Sequence, residues 1–412
     1  MELVASETGA THVRLRVFGL GRGVASALLG CPYDEAPGVV ARLCGMCPVS
    51  HQLAAVQAIE NALGVTPTPQ TGLLRRVLGL AQWIQSHALH IYLLAAPDFL
   101  GCGSAYALAS RYPDLVHRAL RIKKLGAELT RAVAGPQSRS HTWGVYGFRH
   151  LPSPGVLERL RARLERGRQE AADTVAFVSS LEFPSLPRKA ELVALRGEEG
   201  YPVNTGCVAS TEGMREGAAG YRESLHAMPL PLQPDQEVLR WGIVKRSSFM
   251  VGPLARLSLN TDQLSPAGRR ALRACGVSFP SHNPFHSVAA RAVELAEAMD
   301  ECARVLDALH LKKEETRFAV RAGAGTACVE APRGVLYHYY RLNAAGCVEA
   351  AEIIAPTACN VWSLEEDLRA LVPQVQHLPN EEKKRLLEML VRSYDPCLSC
   401  SLRAPSPRAE GR

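Results

Sequence analysis

Aromatic side chains make up only 6% of these 412 residues, and no basic tract is interleaved with them. A groove that stacks bases between rings while tracking phosphates needs both. The formal charge of +7 comes from scattered arginines, so nucleic acid is not an expected partner. Long hydrophobic runs are missing too. The most apolar long stretch, 89–109, is broken by His90, Pro97 and Asp98, which suits a buried helix followed by a loop rather than a membrane span. The opening Met1-Glu2-Leu3-Val4 lacks the basic and apolar regions of a secretory signal, and the expected location is the cytoplasm. Internal repeats and low-complexity tracts are absent. Gly19-Leu-Gly-Arg-Gly23 lacks the full spacing and the following helix of a dinucleotide-binding loop.

What remains is an ordinary globular composition, 47% hydrophobic and 21% charged, with twelve cysteines. Without an export signal, those cysteines read as reduced thiols and metal ligands rather than disulfides. Four of them form two pairs, Cys44-Gly-Met-Cys47 and Cys397-Leu-Ser-Cys400, at opposite ends of the chain. Cys-x-x-Cys spacing lets two thiolates grip one metal or exchange a disulfide. The other eight follow no ligand spacing and read as small buried hydrophobes.

Hydrophobic periodicity predicts a mainly α chain with a small β element late in the sequence, an α+β fold. Alternation over 12–20 suggests a short strand. From Val39 to Leu63 apolar residues recur every three or four positions, with Gly64 as a stop. The first cysteine pair therefore lies just before a helix, with His51 in its first turn. Further helices are expected at 70–95, 104–134 with a break near Pro113, 153–180, 286–310, 363–373 and 379–392. Strands are expected at Phe318-Ala-Val-Arg321, Ala327-Cys-Val-Glu330, 335–342 and 347–354, the last two joined by Asn343-Ala-Ala-Gly346. The arginine- and glutamate-rich face of 153–180 is a solvated helix face. Only 404–412 has the composition of an unstructured tail.

Four thiolates suit zinc, an iron–sulfur cluster, copper(I) or nickel. A structural four-cysteine zinc site is the simplest of these. Zinc ribbons close over a few tens of residues, however, whereas these pairs are 350 positions apart.

The wider context carries a family resemblance. Arg42-Leu43-Cys44-Gly45-Met46-Cys47-Pro48-Val49-Ser50-His51 and Asp395-Pro396-Cys397-Leu398-Ser399-Cys400 resemble the paired signatures of the [NiFe]-hydrogenase large (catalytic) subunit. Between them, Gln85-Ser86-His87-Ala88-Leu89-His90, Ala96-Pro97-Asp98, Phe249-Met250-Val251-Gly252-Pro253-Leu254-Ala255-Arg256, Asn283-Pro284-Phe285-His286, Glu330-Ala331-Pro332-Arg333-Gly334 and Ile354-Ala355-Pro356-Thr357 resemble its soluble, cofactor-coupled branch.

The resemblance implies heterolytic cleavage or formation of dihydrogen at a nickel–iron centre. Cys44, Cys47, Cys397 and Cys400 would bind nickel, and Cys47 and Cys400 would bridge to an iron carrying CO and cyanide. Cys397 would be the first proton acceptor. Arg333, after Pro332, would offer hydrogen bonds to the diatomic ligands, since a guanidinium stays protonated. His51, Ser86 and His87 would stand around the ligands, with His338 divided between core and site. The implied partners are an iron–sulfur small subunit, flavin or NAD electron-transfer subunits, and a maturation endopeptidase. The last would cut the Arg403–Ala404 bond, leaving 1–403 as one catalytic domain and releasing the 404–412 tail.

Several accessory features depart from the family pattern. Ala25 and Arg403 stand where magnesium ligands are usual, which puts a magnesium site in question. The N-terminal proton-relaying glutamate has no clear counterpart, Glu7 being poorly spaced. A Gly-Gly-Arg…His-Pro segment is degraded at 134–140. Two other readings keep the same residues: a complex-I-like subunit without catalysis, and a four-cysteine metal-binding scaffold.

Overall fold

The computed structural model describes residues 2–5, 11–14, 28–42, 44–135, 142–186, 188–197, 200–229, 239–314 and 317–396. Helices dominate it, as the periodicity predicts. Pro48–Leu63 begins with a proline in its first turn and ends at Gly64, whose φ of 71° closes the helix in the left-handed region. Pro69–Leu89 starts with the Thr68 hydroxyl accepting from the Thr71 amide. It then passes into a π-helical turn, His90–Ala95, and a short helix, Ala96–Phe99. The single helix expected over 70–95 thus changes pitch at its end. The break near Pro113 is real, dividing Ala105–Arg111 from Pro113–Ala134. Pro154–Ser179 and Ser287–Ala308 complete a helical layer in which Pro69–Leu89 packs on Pro113–Ala134 and on Ser287–Ala308.

The late β element is a three-stranded antiparallel meander, Gly323–Ala331, Gly334–Leu342 and Val348–Ile354. It lies directly on Pro48–Leu63. Gly325 makes that contact possible, because a Cβ there would stand 2.3 Å from the carbonyl oxygen of Ala58. Ala331 pairs with Gly334, so Pro332 and Arg333 form a two-residue hairpin tip.

Some expectations need correction. Phe318-Ala-Val-Arg321 is not a strand: the meander starts at Gly323, and this segment reaches it as irregular chain. Its Arg321 instead caps Pro48–Leu63 by donating to the Leu63 carbonyl. The helix expected at 363–373 runs from Pro356 to Val375, because Pro356 fits a first helical turn and Pro373 is tolerated inside the last. Of the strand expected at 12–20, Thr11–Arg14 is described, paired with Glu2–Ala5. The periodicity does not predict a mixed four-stranded sheet. In it Phe249–Val251 runs parallel to Glu191–Arg196, followed by Cys207–Ser210 and Arg215–Glu216. No described helix is long and apolar enough to cross a membrane.

Candidate metal centre

Cys44 lies in the loop before Pro48–Leu63 and Cys47 is that helix's N-cap, so the two thiols sit where the free amides of a helix start favour negative charge. Both are buried, with sulfurs 2.9 Å apart and no disulfide between them. The Cys47 thiol is lowered to about 5 by the hydrogen bond from Cys44; burial opposes this, while His51 and the charge of Arg333 reinforce it. It is thus a thiolate at neutral pH, the form that binds metal. His51 stands one turn into the helix, and among the described residues Cys44, Cys47 and His51 form a group whose ligating atoms lie within 4.8 Å of one another.

Behind His51 the meander contributes a second imidazole. His51 Nδ1 and His338 Nε2 are 3.1 Å apart, and His338 Nδ1 is 3.2 Å from the Tyr340 hydroxyl. Burial, followed by the neighbouring His51, holds His338 well below the usual histidine range, so it is neutral. One nitrogen then donates and the other accepts, ordering His51 from behind.

Arg333 projects from the hairpin tip. Its Nε donates to the Asp395 carbonyl at 2.7 Å and its Nη2 to the Asp395 carboxylate at 3.0 Å. The tip is itself braced. Arg256, fully buried, donates to the Ala331 carbonyl at 2.8 Å and meets the Pro332 carbonyl at 3.4 Å. The same guanidinium grips Glu294 through two bonds of 2.7 Å, reaches Glu330 at 2.6 Å, and stacks 4.1 Å over the Trp83 ring. His87 belongs to this network, with Nε2 2.9 Å from Glu294. Burial, its strongest influence, lowers His87 to about 4 and keeps it neutral. Ser86 is buried beside it.

The structure brings Cys44, Cys47 and His51 together, sets the Arg333 charge near enough to bear on the Cys47 thiol with Pro332 beside it in the hairpin tip, and buries both Ser86 and His87, His87 against the Glu294 that braces the tip through Arg256. Cys397, Cys400, Ala25, Glu7, Arg403, the 136–141 stretch and the 404–412 tail lie outside the described residues. Two side chains that bear on Arg333 and its surroundings escaped the sequence reading. Asp395 was visible only as part of a motif, and its grip on Arg333 depends on residues 62 positions apart. Arg291, which also reaches the Asp395 carboxylate, lies on a helix where an arginine reads as solvated; only its place on the apolar stripe of Ser287–Ala308 hints otherwise.

The donor set fits a borderline or soft transition metal: two buried thiols, one already acidic, with an imidazole beside them. Comparison with known proteins narrows this. The sequence profile of the nickel-dependent hydrogenases matches residues 22–126 and 245–403. The alpha subunit of sulfhydrogenase 1 from Pyrococcus furiosus is 29% identical over 408 residues, covering 98% of this chain and 94% of that one. The F420-non-reducing hydrogenase from Methanothermobacter thermautotrophicus has a subunit that is 28% identical, with coverage of 92% and 86%. The beta subunit of the NAD-reducing hydrogenase from Cupriavidus necator is 24% identical, covering 93% and 87%. The crystal structure of an NAD+-reducing [NiFe]-hydrogenase in its H2-reduced state superposes with a TM-score of 0.83 at 26% identity, over 97% of this chain and 95% of that one. The profile takes in both cysteine pairs and Arg333, and the chain belongs to the nickel-dependent hydrogenase family, as a large subunit.

Proposed function

We propose that Cys44, Cys47, Cys397 and Cys400 together hold the nickel–iron centre of this hydrogenase, with Cys47 and Cys400 shared between the metals. The observation that supports it best is the position of Asp395. Arg333 grips Asp395 and lies near enough to Cys47 to lower its thiol, and Cys397 follows Asp395 by two residues, at most about 7 Å of chain. This supports a second pair that closes on the first.

A thiolate-bound nickel–iron pair supplies the place where dihydrogen parts into two protons and two electrons. The residues of this chain do the rest. Cys397 takes the first proton. Arg333 would present guanidinium N–H donors to the carbon monoxide and cyanide on iron. His51, ordered by neutral His338, donates toward the thiolates and holds their charge. Electrons leave to an iron–sulfur small subunit, and from there to flavin, NAD or other electron-transfer subunits, in a cytoplasmic complex. The family match ends at Arg403, which supports cleavage of the Arg403–Ala404 bond by a maturation endopeptidase and a catalytic domain of 1–403.

Metal analysis of the purified complex, paired with hydrogen uptake, tests this reading. Nickel and iron near one each in the large chain, lost together in Cys397→Ser, is the expected result. Zinc alone, with no hydrogen turnover, would show a four-cysteine scaffold instead.

A further inference from the structure

We infer that Arg291 is the positioning residue that seats the chain's last described segment, and with it the second cysteine pair, against the first. The inference rests on the reading that Cys397 and Cys400 complete the centre. Residues 392–395 leave the helix Asn380–Ser393 and are held at each step by groups from distant parts of the chain. The Asp98 carboxylate takes Arg392 at 2.6 and 2.8 Å. His90, in the π-helical turn, lies 2.8 Å from the Arg392 carbonyl through Nε2. Arg291 Nη1 reaches the Ser393 carbonyl at 3.5 Å and its Nη2 reaches the Asp395 carboxylate at 3.3 Å. Arg333 holds the other carboxylate oxygen.

Asp98 and His90 restrain residue 392, whose side chain is still partly in water. Arg291 differs because it is fully buried and holds the point nearest the cysteines. Its guanidinium is fixed from behind by the hydroxyl and carbonyl of Ser287, one helical turn earlier. Among the described residues, Asp395 is its only acidic partner. A buried cation is costly unless a carboxylate meets it. Arg291 and Arg333 therefore form a receiving seat whose charge is answered when Asp395 enters. Asp395 takes that place with φ at 50°, a left-handed turn that aspartate tolerates better than most residues. His90, at the start of the π-helical turn, adds a hold on the Arg392 carbonyl, three residues before Asp395.

The test uses the full chain, expressed with its partner subunits, and compares Arg291→Met and Arg291→Lys with wild type. Hydrogen exchange reads the Tyr394 and Asp395 amides, which bond to the carbonyls of Val391 and Arg392, and metal analysis reads nickel. In Arg291→Met, exchange at these amides should quicken about tenfold or more, the effect of losing a charge-assisted buried bond. Nickel content should fall several-fold, while exchange in Pro113–Ala134 stays unchanged. Arg291→Lys keeps the charge but not the fork, and should recover part of both. Should Arg291→Met fail to fold, Ser287→Ala loosens the guanidinium without removing it, and should quicken the same two amides about threefold. Wild-type exchange and nickel content in Arg291→Met, or unchanged exchange in Ser287→Ala, would overturn the inference. A wild-type chain without nickel would sink the metal assignment instead, leaving the exchange of Tyr394 and Asp395 to decide Arg291.

Discussion

Arg333 holds Asp395 twice, through its backbone carbonyl at 2.7 Å and its carboxylate at 3.0 Å. Two contacts from one planar group fix a hairpin tip and a C-terminal segment in a single orientation, and each bond is charge-assisted. The tip cannot swing freely either, because Arg256 holds the carbonyls of Ala331 and Pro332 behind it. Geometry at the candidate centre is therefore set by two guanidiniums in series, one buried for support and one presented to the site.

Arg333→Lys separates charge from shape at this position. Lysine keeps the cation but offers no fork, so one of the two Asp395 contacts is lost. Hydrogen turnover should fall about tenfold or more, with nickel and iron content close to wild type. Turnover at the wild-type rate in a fully metallated Arg333→Lys complex would remove Arg333 from the mechanism.

The helices around the centre were legible because each has a local cause: proline in a first turn, glycine at a left-handed end, apolar residues every three to four positions. Cys47 as an N-cap and His51 one turn later follow from that alone. The meander's last hairpin was legible through Asn343–Gly346 for the same reason. What could not be read were contacts made by distance in space. The mixed sheet joins Glu191–Arg196 to Phe249–Val251 across more than fifty residues, with no turn signal linking them. Arg256, Glu294 and Glu330 are charged residues with no exposure at all in their side chains, and composition puts such residues outside. The site's support is thus the part that sequence periodicity hides.

That support has a measurable cost when cut. Burial pushes Glu294 upward, but Arg256 overrides it and, with His87, holds the carboxyl at about 2. Its stabilising charge is present above the ordinary glutamate range and is lost as pH falls toward 2. Glu294→Gln keeps the shape and removes the charge, leaving the buried guanidinium with Glu330 alone among its described acids. Unfolding in denaturant at pH 7 should show a loss of about 3–5 kcal/mol, the usual result of breaking a buried pair from one side. A loss under about 1 kcal/mol would mean the network relaxes around the change.

The contact between Pro48–Leu63 and the meander should be just as intolerant. Alanine at Gly325 would put its Cβ 2.3 Å from the Ala58 carbonyl oxygen, with the Ala62 amide nitrogen 2.4 Å away. Both are backbone atoms of one helix, so only a shift of the helix or the strand relieves the clash. Gly325→Ala should cost about 1–3 kcal/mol and, by moving Cys47 with its helix, lower nickel occupancy. A variant with wild-type melting and full nickel would show that the two layers slide without penalty.

Glu297 sits away from the centre and gives the chain a pH dependence of opposite sign to Glu294. Burial raises its carboxyl to about 7, against the bond from Ser265 and with Glu301 adding to the rise. The Ser265 amide donates to it at 2.9 Å, and Arg304, half in solvent, comes only to 3.8 Å. In the unfolded chain the group ionises near 4.3. Between that value and 7 the folded state holds the extra proton, so stability falls as pH rises through the window. Glu297→Gln keeps an oxygen for the Ser265 amide and carries no charge to desolvate. The stability difference, variant minus wild type, should be small at pH 4.5. It should grow with pH and level off above pH 7 at about 3–4 kcal/mol in favour of the variant. Denaturant unfolding at half-unit pH steps reads this curve directly. A difference that stays flat from pH 4.5 to 8 would show that Glu297 ionises normally in the folded chain, with Arg304 drawing close enough to pair with it.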